Sequence, residues 1–171
     1  TFAFVHGVPF YGVLIALEIE REMSVGVVNI PALGEIVSAA TGCGWFLNGE
    51  ATGVSTTARL EDALLLCTDF RSAAYHGFGR AVDFLQRTAK TSRTWGDCYG
   101  YVLVATGRAD VMLDPVMNLW DCAPLLPIME EAGGTFTDWR GVRTVDGGNA
   151  IATNKLLFDE VMQLIGLSAG Q

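Results

Sequence analysis

The sequence predicts an α/β fold in two layers, an antiparallel sheet over residues 1–62 followed by strands alternating with helices over residues 63–171. Three observations carry this. Short apolar runs in the first third are separated by tight polar or glycine-containing turns, the spacing of a meander. Asn48-Gly49, the strongest short hairpin signal, lies within that region. From residue 63 onward, short apolar runs alternate with segments of helical period, as in an α/β layer.

Taken in order, residues 12–17 form the first strand and 18–22 a polar turn. Residues 25–30, rich in β-branched side chains, form a strand broken by Pro31 and Gly34. Residues 36–40 come next, ending at Thr41-Gly42-Cys43-Gly44, and residues 45–47 run into the Asn48-Gly49 turn. In the second layer, residues 63–67 read as a buried strand. Residues 78–85 have helical spacing, with Arg80, Asp83, Gln86 and Arg87 on the opposite side. Arg93 and Thr94 close a short strand before Gly96, and residues 99–105 form a buried helix stopped at Gly107. Strands at 111–113, 135–137 and 150–152 surround a helix over 121–131, which Gly133-Gly134 terminates. A last helix from about Lys155 to Ile165 has Asn154 as its cap and Asp159 and Glu160 in its early turns. No linker, repeat or low-complexity segment intervenes, so both layers are expected to share one core.

Half of the 171 residues are hydrophobic and 18% are charged, a globular balance. The apolar runs are too short to cross a bilayer, and none has a signal-peptide layout. A net charge of −8 without a basic stripe argues against nucleic acid. Cys43, Cys67, Cys98 and Cys122 lack C-x-x-C spacing and paired histidines. That argues against zinc and fits reduced thiols of a cytoplasmic protein.

Asp121 lies after Trp120 and before an apolar run over 123–129, so it stands at the rim of a core. A carboxylate there either caps the helix or holds a cation, and spacing alone favours the cap. The net charge bears on the choice. An acidic protein attracts a phosphate ester only through a local positive charge, of which a bound divalent cation is the simplest.

The block running from Trp120-Asp121 through Ala123-Pro124 and Glu130-Glu131 to Gly133-Gly134 resembles the C-terminal signature of the inositol monophosphatase family. Leu103-Val104-Ala105-Thr106-Gly107-Arg108-Ala109-Asp110 matches the segment that precedes that signature. The opening Thr1-Phe2-Ala3-Phe4-Val5-His6-Gly7-Val8-Pro9 resembles the segment at and just after the end of the family's D-P-I-D-G-T motif. The resemblance implies a stacked αβαβα sandwich, here without its N-terminal part, and a homodimer. It also implies hydrolysis of a small-molecule phosphate monoester by water that Mg²⁺ (or Mn²⁺) activates, with no covalent phosphoenzyme. Asp121 would be a metal ligand. Thr1 would orient the attacking water with its hydroxyl and touch phosphate with its amide. The family's other ligands belong to motifs upstream of Thr1. One Asp cannot assemble a two- or three-metal site, so the 171 residues alone are expected to be inactive.

Where inositol phosphatases carry G-[ST]-A-A, this chain has Trp95-Gly96-Asp97-Cys98, which puts Gly96 and Asp97 at the wall of the substrate pocket. An unpaired buried anion is costly, so an added carboxylate suits a substrate with positive charge. The segment from Gly96 to Tyr101 is similar to that of the family's histidinol-phosphate phosphatases. This implies L-histidinol phosphate, with its ammonium and imidazole groups, as substrate. Asp114 matches an acidic residue that contacts substrate hydroxyls in the inositol enzymes and is placed against the amino-alcohol end or the imidazole. Plainer roles stand beside these: Asp97 as the cap of a helix starting at Cys98, and Asp114 as a solvated turn before Pro115. Tyr99 and Tyr101 are expected as core or pocket wall, since a phenol with a pKa of about 10 is a poor base. Arg71 is a loop cation near a strand end, for phosphate or a dimer contact; His6 and His76 receive no role. The competing functions are an inositol or other sugar-phosphate monophosphatase, and a folded piece acting only in dimerisation or regulation.

Overall fold

The computed structural model describes residues 2–169. After a short helix α1 (Phe2–Val5), five strands form one antiparallel sheet in chain order: β1 (Val13–Ile19), β2 (Glu22–Ile30), β3 (Glu35–Ala40), β4 (Gly44–Leu47) and β5 (Glu50–Ala51). This is the predicted meander. Two of its turns are two-residue hairpins with positive φ at both positions, Asn48-Gly49 (52°, 84°) and Glu20-Arg21 (52°, 68°), the twist that matches right-handed strands. The first polar turn is therefore tighter than expected: Glu18, Ile19 and Glu22 all belong to strands.

The second sheet contains β6 (Leu64–Cys67), β7 (Thr91–Arg93), β8 (Val111–Asp114), β9 (Gly134–Thr137) and β10 (Ala150–Asn154), in the order β7-β6-β8-β10-β9. Pairing is parallel from β7 through β6 to β8 and antiparallel from β8 through β10 to β9. Side-chain alternation sends Leu66, Met112, Ala150 and Ala152 to one core. Leu65, Cys67, Val111, Leu113 and Ile151 go to another. A sheet buried on both faces explains why these strands read as continuous apolar runs.

The remaining helices are α2 (Phe70–Tyr75), α3 (Gly79–Thr88), α4 (Asp97–Ala105), α5 (Leu119–Cys122), α6 (Leu125–Glu131) and α7 (Phe158–Ala169). Helices α4 and α6 lie between the sheets, and residues of both sheets join them in one cluster, so the core is continuous as expected. Helices α2, α3 and α7 cover the far face of the second sheet. The layers thus run sheet, helices, sheet, helices. Gly26 sits where β2 meets α6: a Cβ there would overlap the Pro124 carbonyl, so this close approach requires glycine. At its other end α6 is tied to the β3–β4 turn, where Glu131 accepts from the amides of Gly42 (2.8 Å) and Gly44 (2.7 Å).

The outer face of the first sheet is uncovered among the described residues. Val13, Ile15, Leu17 and Ile19 share one side of β1 and are each between 51% and 59% exposed. Ile36 and Phe46 extend the same apolar surface.

Three sequence expectations are corrected. The helix over 121–131 is two helices, because Pro124 has no N–H to return to the carbonyl of Trp120, and α6 restarts from Pro124 as its cap. Pro127 is tolerated in the first turn of α6, where an N–H would have no helical partner. The last helix begins at Phe158, not Lys155: β10 runs through Asn154, whose side chain accepts from the amide of Leu157 (3.0 Å) and so caps the intervening turn. Arg71 is not a loop residue but the second residue of α2, exposed, behind the Asp69 cap. Among the described residues no helix is long and apolar enough to cross a membrane.

Candidate active site

A cavity of about 280 Å³ opens between the sheets. Its walls are the ends of β6 (Thr68) and β8 (Asp114), the start of α4 (Asp97, Cys98), α5 (Asp121), and the approach to β1 (Phe10, Gly12, Leu14). Thr68 and Asp114 thus stand at the carboxyl ends of two parallel neighbours, where open α/β sheets gather ligands.

Asp121 is neither the helix cap nor a free carboxylate. Asn118 is the N-cap of α5, and Asp121 stands at the third helical position in a capping box. Its Oδ2 accepts from the backbone N–H (3.3 Å) and side-chain amide (3.2 Å) of Asn118. Among the described residues no hydrogen bond falls on Oδ1. The box orients the side chain while one oxygen stays open to a ligand in the cavity.

Asp97 also differs from the cap expected of it. Gly96 is the N-cap of α4, and Asp97 occupies the first turn with φ of 53°, a left-handed conformation uncommon for a non-glycine residue. Its amide donates to Thr68 Oγ1 (3.1 Å). Gly96 is buried against the same threonine, and a Cβ on it would overlap Thr68. Gly96 is therefore a close-packing contact behind the cavity wall and not one of its lining residues.

Asp114 is not a solvated turn. It ends β8 only 3% exposed. Its Oδ2 accepts from the Tyr101 hydroxyl (3.0 Å), its main-chain carbonyl accepts from Trp139 Nε1 (2.9 Å), and the Thr68 hydroxyl stands beside its side chain. Burial pushes its pKa up to about 7. The hydroxyls of Thr68 and Tyr101 pull it down, and the charges of Asp97 and Asp121 push it up again. Cys98, beside Asp97, is pushed up to about 12, by burial first and then by Asp97, so it is an inert wall and not a nucleophile. Tyr101 is wholly buried and Tyr99 stacks on Phe10 at 5.0 Å; both are core, as expected.

The cavity therefore brings together Asp97, Asp114 and Asp121. Thr1 lies outside the described residues. Neither His6, His76 nor Arg71 lines the cavity. Sequence reasoning missed Thr68, although a polar residue directly after a buried parallel strand is a signal for it. Its hydroxyl accepts from the Asp97 amide and stands beside the Asp114 side chain. Among the described residues no group of three His, Cys, Asp or Glu side chains is close enough to hold a metal ion. Asp121 fits as one ligand, and the rest of a Mg²⁺ shell is not supplied by these residues.

Comparison with known proteins agrees with this architecture. Residues 1–166 match the profile described as the inositol monophosphatase family. A histidinol-phosphatase from Chlorobaculum parvum is 43% identical over 167 residues, which cover 97% of this chain and 64% of that protein. A histidinol-phosphatase from Mycobacterium tuberculosis is 40% identical over 172 residues, covering 98% and 65%. The chain thus spans a little under two thirds of the length of these relatives. Among solved structures, an inositol monophosphatase from Zymomonas mobilis superposes with a TM-score of 0.90 at 27% identity, covering 96% of this chain and 66% of that one. With the layer order and the Trp120-Asp121 block in place, the chain belongs to the inositol monophosphatase family.

Proposed function

We propose that this chain forms the substrate-binding side of a phosphomonoesterase that cleaves L-histidinol phosphate to L-histidinol and phosphate in histidine biosynthesis. The observation that carries the reading is the charge of the cavity. Asp97, Asp114 and Asp121 line it, and no Lys, Arg or His among the described residues does. Such a wall repels a phosphate dianion unless a metal cation intervenes, and it draws an ammonium or imidazolium group. The two similar histidinol-phosphatases support that choice of substrate.

The metal is Mg²⁺, with Mn²⁺ as the alternative, held by Asp121 together with carboxylates that the described residues do not supply. When bound, it supplies the charge that makes a water nucleophilic and that offsets charge on the phosphoryl oxygens. The chain's own groups do the rest. Asp121 is pre-oriented by Asn118, so its open oxygen needs no reordering. Asp97, whose backbone N–H donates to Thr68 Oγ1, presents its carboxylate to the positive charge of the substrate, and Asp114 faces the amino-alcohol end or the imidazole. Leu14, Met117 and Leu125 close the apolar side and exclude water. Thr1 keeps its proposed part in orienting the water, and the complete protein is a cytoplasmic homodimer in this reading. The 171 residues alone are expected to be inactive, because the acidic group that the described residues present to a metal is incomplete.

Initial rates of the full-length protein on histidinol phosphate and inositol phosphate test the proposal. Histidinol phosphate should be favoured at least tenfold in kcat/KM; the reverse preference sinks it. Asp97→Ala should cost roughly 1.5–3 kcal/mol of substrate binding, the worth of a charge-assisted hydrogen bond.

A further inference from the structure

We infer that Tyr101 is a positioning residue, whose hydroxyl fixes the Asp114 carboxylate in the orientation that receives the cationic end of the substrate. This rests on the reading of the cavity given above and deepens it by one residue. Tyr101 is completely buried in α4, four residues after Asp97. Its hydroxyl donates to Asp114 Oδ2 at 3.0 Å. A buried phenol needs a hydrogen-bond partner, and here the partner is a wall of the cavity.

Asp114 itself has unusual company for a carboxylate that is 3% exposed. Among the described residues the groups that favour its charged form are two neutral hydroxyls, that of Tyr101, which donates to it, and that of Thr68. The charged neighbours that act on it, Asp97 from α4 and Asp121 from α5, are both anionic. Cys67 and Cys122, which also approach the Tyr101–Asp114 pair, are pushed up to about 12 by burial and stay neutral. No cation pairs with Asp114 among the described residues. A carboxylate can accept about four hydrogen bonds, so acceptor capacity remains on a group whose charge is not offset among the described residues. An Asp side chain has a broad terminal torsion, so its aim depends on what holds it. Tyr101 supplies that hold from the interior, leaving the cavity side free for a ligand N–H.

The test is a double-mutant cycle in the full-length enzyme with Tyr101→Phe, Asp114→Asn and the pair. Tyr101→Phe should raise KM for histidinol phosphate roughly tenfold, the size of one hydrogen bond to a charged group, with kcat changed by less than about threefold. The double variant should bind no worse than Asp114→Asn alone, because Tyr101 acts only through Asp114. Multiplicative losses in the double variant, or kcat and binding falling in step with melting temperature, overturn the assignment. Should Tyr101→Phe not fold, 3-fluorotyrosine at position 101 keeps the ring and strengthens the donor. The acid limb of kcat/KM should then move to lower pH, and an unmoved limb overturns the assignment. An enzyme that hydrolyses inositol phosphate but not histidinol phosphate sinks the substrate reading alone. The same cycle run on inositol phosphate then decides the role of Tyr101.

Discussion

Asp114 and Asp138 lie on the same sheet, one ending β8 and the other just past β9, and are 3% and 1% exposed. Their surroundings drive them in opposite directions. Burial lifts the pKa of Asp138, but the amide of Val142 and the guanidinium and amide of Arg140 outweigh it and hold the carboxyl below its ordinary value. Among the described residues Asp114 has only the hydroxyls of Tyr101 and Thr68 to favour its charge, and burial pushes it up to about 7. Equal solvent exposure therefore does not mean equal purpose. A carboxylate saturated by N–H groups and an arginine belongs to the fold; one left short of donors at a cavity wall is available to a ligand.

The largest effect that would sharpen this contrast is on the saturated member. Asp138→Ala strips two backbone amides of their acceptor and frees Arg140, which is already largely exposed, and should destabilise by roughly 2–4 kcal/mol, measured by chemical denaturation. KM of the protein that remains folded should be unchanged. Asp114→Asn should act with the opposite sign on stability. The carboxyl titrates at 3.8 ordinarily and at about 7 when folded, so the folded state keeps a proton that the unfolded chain releases, and stability falls as pH rises through that window. Removing the acid should therefore raise the melting temperature at pH 8, by the equivalent of about 2 kcal/mol or more, and leave it nearly unchanged at pH 4. The same variant should lose histidinol phosphate binding. A lower melting temperature at pH 8 would break the comparison.

A smaller effect comes from behind the wall. Gly96→Ala places a methyl group against Thr68 and should cost about 1–3 kcal/mol in stability as the two segments separate, with a weaker KM because Asp97 and Thr68 shift together. The smallest is the pH profile of the unaltered enzyme. With Asp114 ionising near 7, kcat/KM for histidinol phosphate should climb about tenfold between pH 6 and pH 8, and Asp114→Asn should flatten that limb.

Much of the fold is legible in the sequence because its signals are local. The alternation of strands such as Val111–Asp114 between two cores is written in consecutive residues, and the Asn48-Gly49 turn needs no tertiary context. The break at Pro124 is also visible, in the missing N–H, but the apolar run on either side masks it. The start of α7 is expected too early because Asn154 is a good cap wherever it occurs, and here it caps a turn at the end of a strand. In the site, Asp97, Asp114 and Asp121 stand out as acids at element boundaries. The contacts that give them different chemistry do not. Tyr101 reaches Asp114 from a different element, and Thr68 meets both Asp97 and Asp114 from a third segment. Nothing in the spacing of those residues encodes the left-handed backbone at Asp97.

The uncovered aliphatic row on β1 has a consequence for handling these 171 residues by themselves. Val13, Ile15, Leu17 and Ile19 stand in a line along an edge strand whose outer backbone groups have no neighbour in the sheet among the described residues, which is a template for joining another molecule. Heating would bring such edges together faster than the melted chain could recover. The midpoint of a thermal scan would then depend on scan rate, and it would report how quickly the protein is lost to precipitate rather than an equilibrium.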